Sequence, residues 1–139
     1  MSTGQVLLTI GSIVLLAIVS IGVQQLFVQS VTETVGAQHS ADAINYGRDI
    51  SERIYSYAFR YNQLETDWGN YDDVTDEDRR LTFQSQVGQT FHATVDLSDE
   101  KELAHGQYGR TAEITIYEEI NGEFELKATY VTSVVNLSN

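Results

Sequence analysis

From Gly4 to Thr32 the chain reads GQVLLTIGSIVLLAIVSIGVQQLFVQSVT, with no charged residue on any side of a helical projection. As a helix this stretch reaches about 43 Å at 1.5 Å per residue, more than the roughly 30 Å hydrocarbon core of a bilayer. The helical pattern then continues with a different character. Ala41, Ile44, Gly47, Ile50, Ile54, Tyr57, Tyr61 and Leu64 recur at steps of three and four, which lays one apolar stripe along an otherwise polar helix. The pattern predicts one helix from near the N-terminus to about residue 65, its first half apolar all round and its second half buried along one face. No proline interrupts it, which favours continuity.

Residues 66–80, TDWGNYDDVTDEDRR, read as a polar connection. Within it Thr75 and Asp78 have the spacing of a capping box that opens a short helix towards Phe83, with Asp76 and Glu77 at its positive end. Beyond that point the period changes from helical to alternating. Phe91, Ala93, Val95 and Leu97 alternate with polar residues, as do Ala112, Ile114 and Ile116, and then Phe124, Leu126, Ala128 and Tyr130; each set predicts a strand with one apolar face. Asn121-Gly122 predicts a tight hairpin between the last two, Ser98–Gly109 a loop between the first two, and Val131–Leu137 either an extension of the final strand or a pairing at the sheet edge. The expected fold class is α+β: a long N-terminal helix packed on a three- to four-stranded antiparallel sheet. The expected organisation is a hydrophobic helix over 1–32 and a globular part over 33–139, with helix to about 65, connection over 66–82 and strands over 83–137.

Charge sharpens this division. Twenty acidic and eight basic residues give a net charge of -12, all of it after residue 32. Such a surface repels phosphate, so no nucleic acid partner is expected. No cysteine is present, which removes disulfides, thiolate metal sites and a cysteine nucleophile. The acidic connection supplies oxygen donors at Asp67, Asn70, Asp72, Asp73, Asp76 and Asp78, but their spacing lacks the alternation, central glycine and distant glutamate of an EF-hand, and no metal or other cofactor is expected. No nucleophile elbow, phosphate loop or dinucleotide fingerprint occurs. His39, His92 and His105 are widely separated, and Glu118 and Glu119, as neighbours on a strand, point to opposite faces. The reading is therefore not an enzyme. Tyr46, Tyr55, Tyr57, Phe59 and Tyr61 read as core or subunit contacts rather than a conducting stack. Asn136-Leu137-Ser138 matches the acceptor pattern for N-linked sugar.

Nothing before Arg48 is basic, so the positive flank that orients an ordinary anchor helix is missing. A charge-free helix at the start of the chain, continuing as an amphipathic helix against a small sheet, resembles the type IV pilins and pseudopilins. The resemblance implies a structural subunit of an extracellular helical filament on the cell surface, with a pool held in the cytoplasmic membrane before assembly. The partners it implies are further copies of the chain, membrane lipid, the pilus assembly machinery and a prepilin peptidase that removes a short basic leader. Numbering from a mature N-terminus then accounts for the missing flank; cleavage between Gly4 and Gln5 is the alternative. The family usually has glutamate at position 5, where this chain has Gln5, whose amide accepts a hydrogen bond from a neighbour's amine without balancing its charge. Many members have a proline near position 22, where this chain has Gly22. Gln5, Gly11, Leu15 and Gly22 are the expected filament-core contacts, and Ile44, Gly47, Ile54, Tyr57 and Leu64 the expected helix-to-sheet seam. Two other roles remain open at this point: a minor pseudopilin of a secretion or DNA-uptake system, and a single-pass anchored acidic domain that binds a partner outside the cell.

Overall fold

The computed structural model describes residues 2–138, so a mature start at Met1 lies outside the described residues. The class is α+β, with a long N-terminal helix and five antiparallel strands. Helix α1 spans Thr3–Tyr55. The chain divides into two compact units, one reaching Gln38 and the other starting at His39.

Among the described residues of the first unit no second element is present, and the large apolar side chains of the helix are exposed. The hydroxyls there are satisfied locally: Thr9 donates to the Gln5 carbonyl at 2.9 Å, Ser12 to Leu8 at 2.8 Å and Ser20 to Leu16 at 2.8 Å. Back-bonding of this kind removes the cost of placing a hydroxyl in apolar surroundings.

In the second unit the helix has a buried side. Ala43, Gly47, Ile50 and Ile54 are its buried residues in α1, spaced four, three and four apart as a single face requires. After Tyr55 the helix does not continue regularly to residue 65, as the stripe predicts. Ser56–Gln63 is 3-10 in character, Arg60 leaves helical geometry (φ -128, ψ 37), and a short helix α2 follows over Leu64–Trp68. Tertiary hydrogen bonding offers a physical reason. The Ala58 carbonyl accepts from the Leu137 amide at 3.0 Å, so it is drawn to the strand side instead of the regular helical ladder.

The five strands are β1 Leu81–Gln84, β2 Thr90–Leu97, β3 Lys101–Ala104, β4 Gln107–Ile120 and β5 Glu123–Val135. All pair antiparallel, and β4 is central, with β5 on one edge and both β2 and β3 on the other. The expected three to four strands become five because the stretch expected as a loop over Ser98–Gly109 contains β3 and the start of β4. The break between β2 and β3 is bridged at Ser98, whose amide donates to the Thr111 carbonyl at 2.9 Å while its Oγ accepts from the Thr111 amide at 2.9 Å. His105 and Gly106, at φ 49 and 80, form the two-residue turn into β4, and Asn121 and Gly122, at φ 53 and 81, form the turn into β5. Both pairs have the positive φ values of a type I′ turn, whose twist matches that of the strands.

The expected capping box is replaced by a different arrangement. Asp73 Oδ1 accepts from both the amide and the hydroxyl of Thr75, at 2.9 and 2.7 Å, so that hydroxyl is committed elsewhere. Asp76 instead caps a single 3-10 turn, Glu77–Arg79, by accepting from the Asp78 amide at 3.0 Å. Phe83 then lies on β1, paired with Phe91.

The core joins the buried helix face to the inner face of the sheet, where Phe91, Ala93, Val95, Ala112, Ile114, Ile116 and Val134 are buried. Each fully buried branched or aromatic side chain contributes about 1.5–3 kcal/mol relative to exposure.

Candidate functional site

The first candidate is the apolar surface of the first unit. Leu15 is 63% exposed, and Val6, Ile10, Val14, Ile18, Ile21 and Phe27 are exposed with it. Gln5 is exposed, its amide donating to the Ser2 carbonyl at 3.1 Å. At Gly11 and Gly22 nothing beyond the adjoining residues and the helix's own backbone lies within 4 Å of where a Cβ would stand. An exposed apolar surface of this extent marks a site that another apolar surface covers. The helix is long and apolar enough to cross a membrane.

The second candidate is the seam in the second unit. Gly47, Ile54 and Leu64 are buried and Tyr57 is half-buried. Ile44 is 42% exposed, and the adjacent Ala43 takes the buried position. The seam therefore runs one residue away from the stripe at that point, along Ala43, Gly47, Ile50 and Ile54, with the Tyr130 ring filling the space beside Gly47. Tyr130 also donates its hydroxyl to the Ile44 carbonyl at 3.0 Å.

A buried ionic cluster lies at one end of this seam. Glu118 is only 1% exposed, yet its carboxylate meets His39 Nδ1 at 3.1 Å and Lys127 Nζ at 3.2 Å. Lys127 also reaches Glu125 at 3.4 Å. A bulge supplies the lysine: Ile116 pairs with Ala128 and Tyr117 with Leu126, leaving Lys127 without a partner on β4. Such a residue bends the strand and re-aims a side chain. The Lys127 ammonium is pulled down by its own burial, but its carboxylate partners outweigh that and raise its pKa above the ordinary lysine value. Sequence alternation held the signal for Glu118, which continues the phase of Ala112, Ile114 and Ile116 and so falls on the buried face.

The opposite face of the sheet carries a second buried polar group. His92 is buried between the Glu119 carboxylate, 2.6 Å from its Nε2, and Thr82 Oγ1, 3.0 Å from its Nδ1, with Phe124 edge-on at 5.5 Å. Glu118 and Glu119 thus face opposite ways and engage different histidines. A histidine held on both nitrogens with its ring packed is positioned as a cross-strand tie. The acidic connection is similarly engaged: Asp72 pairs with the Arg79 guanidinium, and Asp73 with Thr75. Among the described residues no group of three or more histidine, aspartate or glutamate side chains is arranged to hold a metal.

Asn136 follows β5. Its amide donates to the Tyr108 carbonyl at 2.9 Å, and its Oδ1 accepts from the Ser138 amide and hydroxyl at 3.2 and 2.7 Å.

These features define a class of protein: an α+β chain with a membrane-length, uncovered N-terminal helix and an acidic, antiparallel sheet unit that seats a helix on one face. Compared with family models, with curated proteins and with solved structures, the chain matches none.

Proposed function

We propose that the chain is a structural subunit of a type IV pilus-like helical filament. The observation that carries this reading is the helix over Gly4–Thr32, charge-free and exposed on every side, attached in sequence to an acidic unit that has its own closed core. In lipid its apolar side chains meet hydrocarbon; in a bundle of identical helices they meet each other. Gly11 and Gly22 leave room for close helix approach, which is how helices associate where hydrophobicity supplies no preference between lipid and protein. The acidic unit remains outside, where like charge keeps filaments apart from one another in solution. Head-to-tail contacts of this kind give an open helical polymer. Before assembly the subunit resides in the cytoplasmic membrane, and its partners are further copies of itself and the assembly machinery.

The test is electron microscopy of material sheared from cells that express the chain, together with mass spectrometry of the filament subunit. Fibres made of this chain support the proposal. A chain found only in the membrane fraction as monomers or small oligomers overturns it in favour of an anchored extracellular domain.

A further inference from the structure

A groove of about 460 Å³ opens on the second unit between α1 and β1, within the size range of small-molecule sites, roughly 300–1,000 Å³. One wall is aromatic. Tyr46 and Phe83 stack at 4.9 Å with 22° between their planes, and Phe83 is braced from behind by buried Phe91 at 6.5 Å. Phe83 is itself partly exposed, and with Tyr46 on one face and Phe91 towards the other the wall presents a firmly held ring edge to solvent. Trp68 also lines the groove, and its buried indole N–H has no hydrogen-bond partner among the described residues.

The helix side of the groove is polar and carries both signs. Asp42 and Asn45 line it, followed one turn on by Asp49 in an ion pair with Arg53 at 3.0 Å. The Arg53 guanidinium opposes a cationic ligand and the two carboxylates oppose an anionic one. What matches an aromatic wall facing alternating acceptors and donors is a neutral molecule with an apolar face and a rim of hydroxyls, each of which both donates and accepts. We propose that this groove binds a saccharide ring, its C–H face packed against the exposed rim of the Tyr46–Phe83 pair and its hydroxyls hydrogen-bonded to Asp42, Asn45 and Arg53. The site is absent from the sequence reading because Phe83 lies 30 or more residues from its helix partners Asp42, Asn45, Tyr46 and Arg53 and joins them only through the β1–β2 pairing.

Trp68 is the chain's single tryptophan, so its emission reports on the groove directly. The full chain, held in a zwitterionic detergent that contains no sugar, is titrated with a panel of methyl glycosides of glucose, galactose, mannose and N-acetylglucosamine, with choline and acetate as charged probes. Saturation-transfer NMR runs in parallel. The expected result is saturable binding of at least one glycoside in the millimolar range or tighter, as a single-ring ligand with few contacts gives. Asp42→Ala, Asn45→Ala and Phe83→Ala each weaken it roughly tenfold, one lost contact of ordinary strength, while Thr129→Ala on β5 leaves it unchanged. The proposal is overturned if no glycoside binds, if choline or acetate binds more tightly than every glycoside, or if the three groove variants bind as the parent does. The measurement uses dispersed chains, so its outcome is independent of whether the chain forms filaments.

Discussion

The Tyr130 ring on β5 occupies the place where Gly47 of α1 would carry a side chain, and a Cβ there would overlap the ring and come within 3.2 Å of Ile116. Glycine at this position lets helix and sheet approach so closely that the Tyr130 hydroxyl reaches the Ile44 carbonyl at 3.0 Å. Gly47→Ala gains about 1 kcal/mol of helix propensity but overpacks a core contact deeply enough, against the Tyr130 ring, to cost about 2–3 kcal/mol. The net expectation is a loss of about 1–2 kcal/mol, read by urea unfolding of the full chain in detergent with Trp68 emission as the signal. Adding Tyr130→Ala removes the overlap, so the two changes couple by at least about 0.5 kcal/mol. A Gly47→Ala chain as stable as the parent would show that the ring and helix do not press together.

Two sheet glycines are expected to differ in cost for separate reasons. Gly122 sits at φ 81 in the β4–β5 turn with open space around it, so Gly122→Ala is limited to backbone strain of about 1 kcal/mol. At Gly109 a Cβ would collide with the Val134 carbonyl and with Leu103. Backbone cannot yield as a side-chain tip does, and Gly109→Ala should cost about 2–3 kcal/mol or split β5 from β4. Amide exchange at Val134 and Val135 checks this: faster in Gly109→Ala, near the parent rate in Gly122→Ala.

How far the sequence reveals this fold depends on which contacts are local. The alternation of Ala112, Ile114 and Ile116 is a property of one strand, and Asn121-Gly122 is a property of one turn, so both are legible without partners. β3 is only Lys101–Ala104, too short to establish a period. The 3-10 segment over Ser56–Gln63 is invisible because the stripe through Tyr57, Tyr61 and Leu64 persists across it. What alters the helix there is the Leu137 amide, far away in sequence. Glu118 shows the same limit: alternation marks it as inward-facing, but its partners His39 and Lys127 come from α1 and from a bulge in β5.

Alkaline pH should loosen the second unit. Burial is the largest cause raising the Tyr46 pKa, to about 12 from an ordinary 10.0. The Lys127 pKa is also raised: its burial acts downwards and is outweighed by Glu118 and Glu125. Both groups hold their protons more tightly when folded, so their contribution is fully present below the unfolded values near 10 and is lost as pH climbs through the folded ones. Unfolding midpoints should therefore fall steadily between about pH 10 and pH 12. Tyr46→Phe and Lys127→Met should each reduce the slope, and an absorbance titration of the folded chain should show one late tyrosinate lost in Tyr46→Phe. A parent and a double variant with identical pH profiles would remove both groups from the account.

Leu15→Asp separates the filament reading from the stability of the chain. Leu15 lies in the middle of the charge-free helix, 63% exposed, and is not part of the sheet unit's core. Unfolding of that unit should change by less than about 0.5 kcal/mol, as for a surface substitution. For membrane insertion the carboxylate costs about 2.5–3.5 kcal/mol at the centre of the helix, which the many apolar residues on either side offset, so the chain should still be recovered with membranes. In a dry bundle of identical helices the same charge recurs in every subunit with no cation nearby, since nothing before Arg48 is basic, and an unpaired buried charge is far more costly there. Filaments should be lost altogether, whereas Leu15→Met, which conserves volume and polarity, should keep them. Normal filaments from Leu15→Asp would mean that this face of the helix is wet or lipid-exposed in the assembly. Loss in both variants, with membrane recovery intact, would mean that packing shape rather than dryness controls polymerisation.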